Sequence, residues 1–194
     1  MAAPVSNVIF VGMEALKLKP MTVDEFLVWA EGREGRYELH DGEVFAMSPQ
    51  RASHLEAKLA ISIALRDAIK SAKLNCFSVP DGATVRINDI TVFEPDALVY
   101  CGEKAKPHQI EFPNPIIVVE VLSPNTGYKD LGEKLRAYFT LPSVNHYLVA
   151  DPDKKLLIHH ARGGGDELIT RIVTEGALRF DPPGLTITAE DIFS

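Results

Sequence analysis

Ile116-Ile117-Val118-Val119-Glu120-Val121 is the stretch on which the fold turns. It is β-branched and almost wholly apolar, the composition of a strand with both faces covered. One residue breaks the pattern. Glu120 is a carboxylate that burial forces either to protonate or to find a partner. Upstream, Phe93-Glu94-Pro95-Asp96 leads into a second apolar run, Ala97-Leu98-Val99-Tyr100, and downstream Ser123-Pro124 precedes Asp130, Lys134 and Tyr138. Two carboxylates on neighbouring buried strands, with a lysine close behind, describe a cradle for a hard divalent cation.

The rest of the chain bounds that reading. Its 194 residues, 46% hydrophobic, can bury a sizeable core, most simply as a loosely held N-terminal arm over 1–21 and a single domain over 22–194. A net charge of −7 supplies no global basic field, which counts against a strong non-specific DNA binder. A local groove of Lys and Arg beside Asp96 is the feature that would offset it. Cys76 and Cys101 form no disulfide framework and suit a reducing cytoplasm. The N-terminus carries Glu14 and lacks a basic start, so it does not read as a signal peptide, and no run is long enough to span a membrane. The expected setting is cytoplasmic.

Thr22-Val23-Asp24-Glu25 is a capping box, and Val23, Phe26, Leu27 and Ala30 give the helix behind it an apolar stripe, ended by Gly32 and Gly35. Arg36 to Leu39 and Glu43 to Met47 flank Asp41-Gly42, a hairpin signal. Ser53-His54-Leu55-Glu56 reads as a second capping box. It opens a helix to about Ser71 with Leu55, Leu59, Ile61, Ile63, Leu65 and Ile69 on most of its sides, which predicts packing across a sheet. Strands follow at 75–79 and 83–87 around Pro80-Asp81-Gly82, then at 96–100 and 116–122. Tyr128 to Leu141 is helical by period. Strands at 145–150 and 154–160 form a hairpin about Asp151-Pro152-Asp153, and weaker ones at 168–173 and near Thr186 complete a mixed sheet. The order predicts an α/β fold of two or three layers, with helices on a central mixed sheet. His159-His160 makes no metal pair, since adjacent strand residues face opposite ways.

Cleaving a phosphodiester with a divalent metal needs two or three oxygen ligands, an activated water and positive charge near the phosphate. Asp96 and Glu120 can supply two ligands, and the backbone carbonyl of Val121 a third. Lys134 can supply the charge. Asp130, Lys134 and Tyr138 recur every four residues and so share one side of their helix. Plainer readings stand beside these: Lys134 pairing with Asp130 on a solvated face, His54 covering the core, Glu38 as an exposed strand residue. Glu120 is the hardest to read as structure alone.

These residues carry a resemblance. Glu94-Pro95-Asp96, the strand ending Val119-Glu120-Val121-Leu122-Ser123-Pro124, then Asp130, Lys134, Tyr138 and Asn145-His146-Tyr147-Leu148-Val149 resemble the Uma-type putative restriction endonuclease family, part of the PD-(D/E)XK nuclease superfamily. Tyr37-Glu38-Leu39, Asp41-Gly42-Glu43 and His54 match its N-terminal pattern, so the likeness runs from about Thr22 to Pro152. It implies a restriction-endonuclease-like fold, a mixed β-sheet flanked by α-helices. Asp96 and Glu120 would hold Mg²⁺ (or Mn²⁺), with Glu38 as an accessory acid and His54 beside the ligands or the phosphate. The implied function is DNA endonuclease chemistry through a metal-activated water, and the implied assembly a homodimer. Apolar residues such as Val8, Ile9, Phe10 and Phe193 are candidates for its contact. The superfamily's usual lysine, two residues after the glutamate, is Leu122 here. The resemblance is therefore to a subgroup whose lysine stands on the next helix, as Lys134, with Lys129 as competitor. Two alternatives stay open: a non-catalytic nucleic-acid-binding or regulatory module that keeps the fold, and a hydrolase of another phosphoester.

Overall fold

The computed structural model describes residues 20–47, 49–123 and 128–193, with the side chains of 128–130 outside that description. Most of the expected N-terminal arm, including Val8, Ile9 and Phe10, therefore lies outside the described residues. Helix α1 (Val23–Ala30) begins at the expected capping box: Glu25 N–H donates to Thr22 Oγ1, and Thr22 N–H donates back to the Glu25 carboxylate. Strands β1 (Tyr37–His40) and β2 (Glu43–Ala46) form a hairpin whose two turn residues, Asp41 (φ 48°) and Gly42 (φ 82°), both lie in the left-handed region that a two-residue hairpin requires. Helix α2 (Ala52–Ser71) leads to β3 (Cys76–Pro80), β4 (Val85–Asn88), β5 (Thr91–Phe93), β6 (Ala97–Cys101) and β7 (Ile117–Val121). Helix α3 (Tyr128–Tyr138) is followed by β8 (His146–Asp151), β9 (Leu156–Arg162), β10 (Leu168–Val173), β11 (Ala177–Phe180), β12 (Leu185–Thr188) and the short α4 (Glu190–Phe193).

The central sheet has six strands in the order β10-β9-β8-β7-β6-β3. Its parallel pair, β7 and β8, is joined through α3, because parallel neighbours need a crossover. A second, antiparallel sheet runs β2-β1-β5-β4, and β11 pairs with β12 as a separate ribbon. Strand β7 is buried along its whole length, as its composition requires. Ile117, Val119 and Val121 enter a core with Ile61 and Leu65 of α2 and with Phe180 and Leu185 of the ribbon. Val118 enters a second core with Phe93, Tyr138, Tyr147 and Val149. Glu120, alternating with its neighbours, belongs to this second side, towards α3 and the four-stranded sheet.

Several expectations are corrected. Helix α2 starts at Ala52 behind Arg51, which makes no side-chain cap, so Ser53 is already inside the helix and the second capping box does not form. One stripe of α2 is buried, through His54, Ala57, Lys58, Ile61, Leu65 and Ile69, while Leu55, Leu59 and Ile63 are exposed. The turn Pro80-Asp81-Gly82 passes the chain from the six-stranded sheet to the four-stranded one. Strands β5, only three residues long, and β11 were not expected from the sequence. Cys76 and Cys101 are disulfide-bonded, against expectation, because the antiparallel register of β3 and β6 sets them directly opposite each other. Phe193 is partly buried, with its inner side packed against the main core. Among the described residues no helix is long and apolar enough to cross a membrane.

Away from the cleft, β8 and β9 bring two buried histidines together. His146 Nε2 faces the Pro182 carbonyl at 2.8 Å and so carries the donating proton; its Nδ1 then accepts from His159 Nε2–H at 3.0 Å. Phe180 packs on both rings, and His159 Nδ1 has no hydrogen-bond partner among the described residues. His160 bonds Thr170 instead, on the other face, as alternation predicts.

Candidate functional site

The β6–β7 register builds the site. Ala97 lies opposite Val119, which brings Asp96, one residue before β6, to the Glu120 end of β7, and both acids open onto one cleft. Asp96 N–H donates to the Val119 carbonyl at 3.0 Å, extending the ladder past the strand end, and Asp96 Oδ2 accepts Val121 N–H at 2.6 Å. Glu120 faces α3, where Lys134 and Tyr138, one turn apart, both reach it: Nζ to Oε1 at 3.0 Å and the phenol O–H to the same oxygen at 2.9 Å. Lys134 Nζ also donates to Glu38 Oε1 at 2.9 Å, which ties β1 to α3. Glu38 accepts Glu94 N–H at 2.9 Å, and its other oxygen lies 3.2 Å from His40 Nε2.

His54, on the first turn of α2, is buried with its Nε2 3.6 Å from Asp96 Oδ1, within ion-pair range but just beyond hydrogen-bond reach; neither ring nitrogen has a hydrogen-bond partner among the described residues. Asp130 stands on α3, but its side chain and that of its neighbour Lys129 lie outside the described residues. Leu122, where the superfamily lysine would stand, lines the cleft and packs against the second core.

Sequence reading missed the other half of the network. Lys58 Nζ lies 2.8 Å from Asp96 Oδ1 and 2.8 Å from Asp81 Oδ2; Arg36 in turn bridges Asp81 and Glu94. The available signal was a lysine inside the apolar stripe of α2, four residues after His54. The linking acids come from a turn and an inter-strand segment that only the packed structure brings close.

Five carboxylates (Glu38, Asp81, Glu94, Asp96, Glu120) thus face three fixed cations (Arg36, Lys58, Lys134). Burial raises the Glu120 carboxyl; Lys134 opposes this, but Asp96 and Glu38 add to it, and the group is pushed up to about 8. Burial acts the same way on Glu38, yet the Lys134 ammonium, the His40 contact and the Glu94 N–H outweigh it and hold the group at about 2. For Asp96, the His54 ring, Lys58 and the Val121 N–H outweigh burial and keep the carboxyl low. Lys134 is raised: burial works against its charge, and the two carboxylates overcome it.

Glu38, His54, Asp96, Glu120, Leu122 and Lys134 open onto one cleft of about 670 Å³. Its rim is acidic, with Asp41, Glu43 and Glu133, and Lys134 is its one lysine or arginine among the described residues. The sought basic groove does not line this cleft. Among the described residues no three His, Cys, Asp or Glu side chains gather into a metal-holding cluster. The donors on offer to a cation are Asp96, Glu120 and the Val121 carbonyl, all hard oxygens. One or two carboxylates completed by water suit Mg²⁺, and a divalent ion would take the place of the proton that burial keeps on Glu120. The residues fit such a metal.

Two uncharacterised proteins of Synechocystis sp. are each 26% identical to this chain, one over 91% of it and 92% of its own length, the other over 82% and 91%. A crystal structure from Anabaena variabilis, described as a putative nuclease belonging to DUF820, has the same fold, with a TM-score of 0.72 over 90% of this chain and 98% of that one at 17% identity. Residues 23–190 match the Uma2 family, described as putative restriction endonuclease. The chain that holds Asp96 with Lys58 and Glu120 with Lys134 on one cleft belongs to the Uma2 family of putative restriction endonucleases.

Proposed function

We propose that the protein is a Mg²⁺- or Mn²⁺-dependent endonuclease that hydrolyses DNA phosphodiester bonds. The observation that carries this reading is the pair of buried acids Asp96 and Glu120 at the end of β7, open to one cleft and part of a network that holds more carboxylates than cations. Asp96, Glu120 and the Val121 carbonyl would hold the ion. When bound, it would supply Lewis acidity and a water of lowered pKa. The chain's own groups do the rest. Lys134, kept protonated by Glu38 and Glu120, cannot serve as a base; its ammonium orients the attacking water and offsets charge growing on the phosphoryl oxygens. Tyr138 donates to Glu120 and fixes which oxygen turns to the cleft. Glu38 is the accessory acid that keeps Lys134 charged and aimed. His54, beside Asp96 and with no hydrogen bond of its own among the described residues, is placed to donate to a phosphate oxygen.

The acidic rim favours a second reading, hydrolysis of a smaller phosphoester that needs no basic track for a duplex backbone. One assay decides: Mn²⁺- and Mg²⁺-dependent cleavage of single-stranded DNA, double-stranded DNA and bis-p-nitrophenyl phosphate, with Asp96→Ala as control. Metal-dependent DNA cutting that the control lacks is expected. Turnover of the small diester alone would replace the DNA reading, and no turnover of any substrate would leave a non-catalytic module.

A further inference from the structure

Lys58 stands where the buried stripe of α2 meets the acids. It is 5% exposed, and its Nζ has three oxygen partners: Asp96 Oδ1 at 2.8 Å, Asp81 Oδ2 at 2.8 Å and Gln50 Oε1 at 3.2 Å. Asp96 Oδ2 is already taken by the Val121 N–H at 2.6 Å. One oxygen of Asp96 is thus held by backbone that cannot move away, and the other by an ammonium on a flexible four-carbon stem. That ammonium has somewhere else to go. Asp81 is a third exposed, on the turn between β3 and β4, and is itself gripped by Arg36, which also grips Glu94.

We propose that Lys58 is a resident counter-cation: it holds Asp96 in the metal-free protein and withdraws onto Asp81 and Gln50 when a divalent cation takes Asp96 Oδ1. The proposal rests on the reading of Asp96 as a metal ligand. A buried carboxylate left without a partner is strongly destabilising, and Lys58 removes that penalty for as long as no metal is bound. The same ammonium repels the arriving cation. Metal affinity then measures a contest between two cations for one oxygen, and Lys58 is a positioning residue acting through Asp96. Lys134 does not share this role, because its two carboxylates, Glu38 and Glu120, clasp it on the far side of the pair. Arg36 serves as the anchor that keeps Asp81 in place to receive the ammonium.

The test is calorimetric titration of Mn²⁺ into the full-length metal-free protein, beside thermal melts of the same samples without metal. Lys58→Met and Lys58→Gln are expected to lower the metal-free melting temperature by about 5 °C or more while tightening Mn²⁺ binding about tenfold. A merely structural lysine would move both readings in the same direction. Asp81→Asn removes the retreat at a partly exposed position and is expected to weaken Mn²⁺ binding about threefold; it decides the matter if neither Lys58 variant folds. Wild-type binding of Mn²⁺ with equal or weaker affinity in the Lys58 variants, or equal or tighter affinity in Asp81→Asn, overturns the counter-cation. Absence of Mn²⁺ binding in wild type and every variant overturns the metal reading of Asp96, and this proposal with it.

Discussion

Two groups of buried polar side chains are built on opposite plans. Between the sheets, Glu38, Lys134, Glu120, Asp96 and Lys58 form an ionic chain with more acid than base, open to a cleft. Beneath the C-terminal ribbon, His146 and His159 form a neutral pair, closed by Phe180 and by the Pro182 carbonyl. The neutral pair carries no net charge: His159 donates to His146 and His146 to the Pro182 carbonyl, with only His159 Nδ1 left without a hydrogen-bond partner among the described residues. The ionic chain does not close its own account: its imbalance of charge is stable only with help from a proton or a cation. Burial alone therefore does not mark a functional site. Unbalanced burial beside an opening does.

The largest effect is expected from cutting the ionic chain at its centre. Lys134→Ala should lower cleavage by roughly 10²–10³-fold, the scale of a lost transition-state donor. It also strands Glu38 and Glu120 in the interior, so its melt should reveal a loss on the order of 3–5 kcal/mol. The double variant Lys134→Met/Glu120→Gln should recover much of that stability and none of the activity. Leu122→Lys in the Lys134→Ala background should restore part of the turnover, since the cleft reaches residue 122. Wild-type cleavage by a well-folded Lys134→Ala protein would remove Lys134 from the chemistry and make Lys129 the next candidate.

Supplying the missing charge should act in the other direction. Mn²⁺ at a hundredfold excess over its Kd should stabilise the wild type by about 2.7 kcal/mol. Asp96→Asn/Glu120→Gln should gain nothing, and the His159→Leu protein should gain as much as wild type. Equal thermal shifts in wild type and the double acid variant would show that the ion binds elsewhere.

The smallest effect, and the sharpest contrast, is in pH. The Glu120 carboxyl is pushed up to about 8 from 4.5, so the fold binds a proton that the unfolded chain has released; this contribution is lost as pH rises through that window. His159 is pushed down to about 4 from 6.5, first by burial and then by His146, Arg171 and His160, so its contribution is present above 6.5 and lost as pH falls towards 4. Metal-free protein should therefore melt lower on both sides of an intermediate pH. Glu120→Gln should flatten the alkaline limb and His159→Leu the upper part of the acid limb, between 6.5 and about 4, each by a few degrees, while the fall below that, set by Glu38 and Asp96, remains. Melts of each variant against pH test this; a single variant that flattens both limbs would mean the two regions are not independent.

Much of the ionic chain was legible in the sequence because it rides on local periodicity. Asp96 and Glu120 sit in or beside apolar strands, and Lys134 and Tyr138 are spaced one helical turn apart, so the residues announce both their elements and their misfit. Lys58 and the Arg36–Asp81–Glu94 group were not legible. Each looks like an ordinary charged residue until a turn, a hairpin and a helix from three parts of the chain are packed together. The disulfide failed for the same reason, since Cys76 meets Cys101 only through the register of β3 on β6. The histidine pair likewise needs the β8–β9 register, and Pro182 arrives from beyond both strands.

The way Asp96 and Glu120 come to open onto one cleft has a practical corollary for engineering. Their alignment is set by the ladder between β6 and β7, in which Ala97 meets Val119 and Val99 meets Ile117. The length of chain joining the two strands does not enter. A single residue inserted within either strand would turn every following side chain to the wrong face. A whole peptide inserted between Glu103 and Lys104, both exposed, would leave the pairing untouched, provided the later contacts of Glu111 and Phe112 with Thr84 are kept. That loop is the natural port for an affinity tag or a tethered DNA-recognition module, at the margin of the molecule yet covalently one short segment away from the cleft.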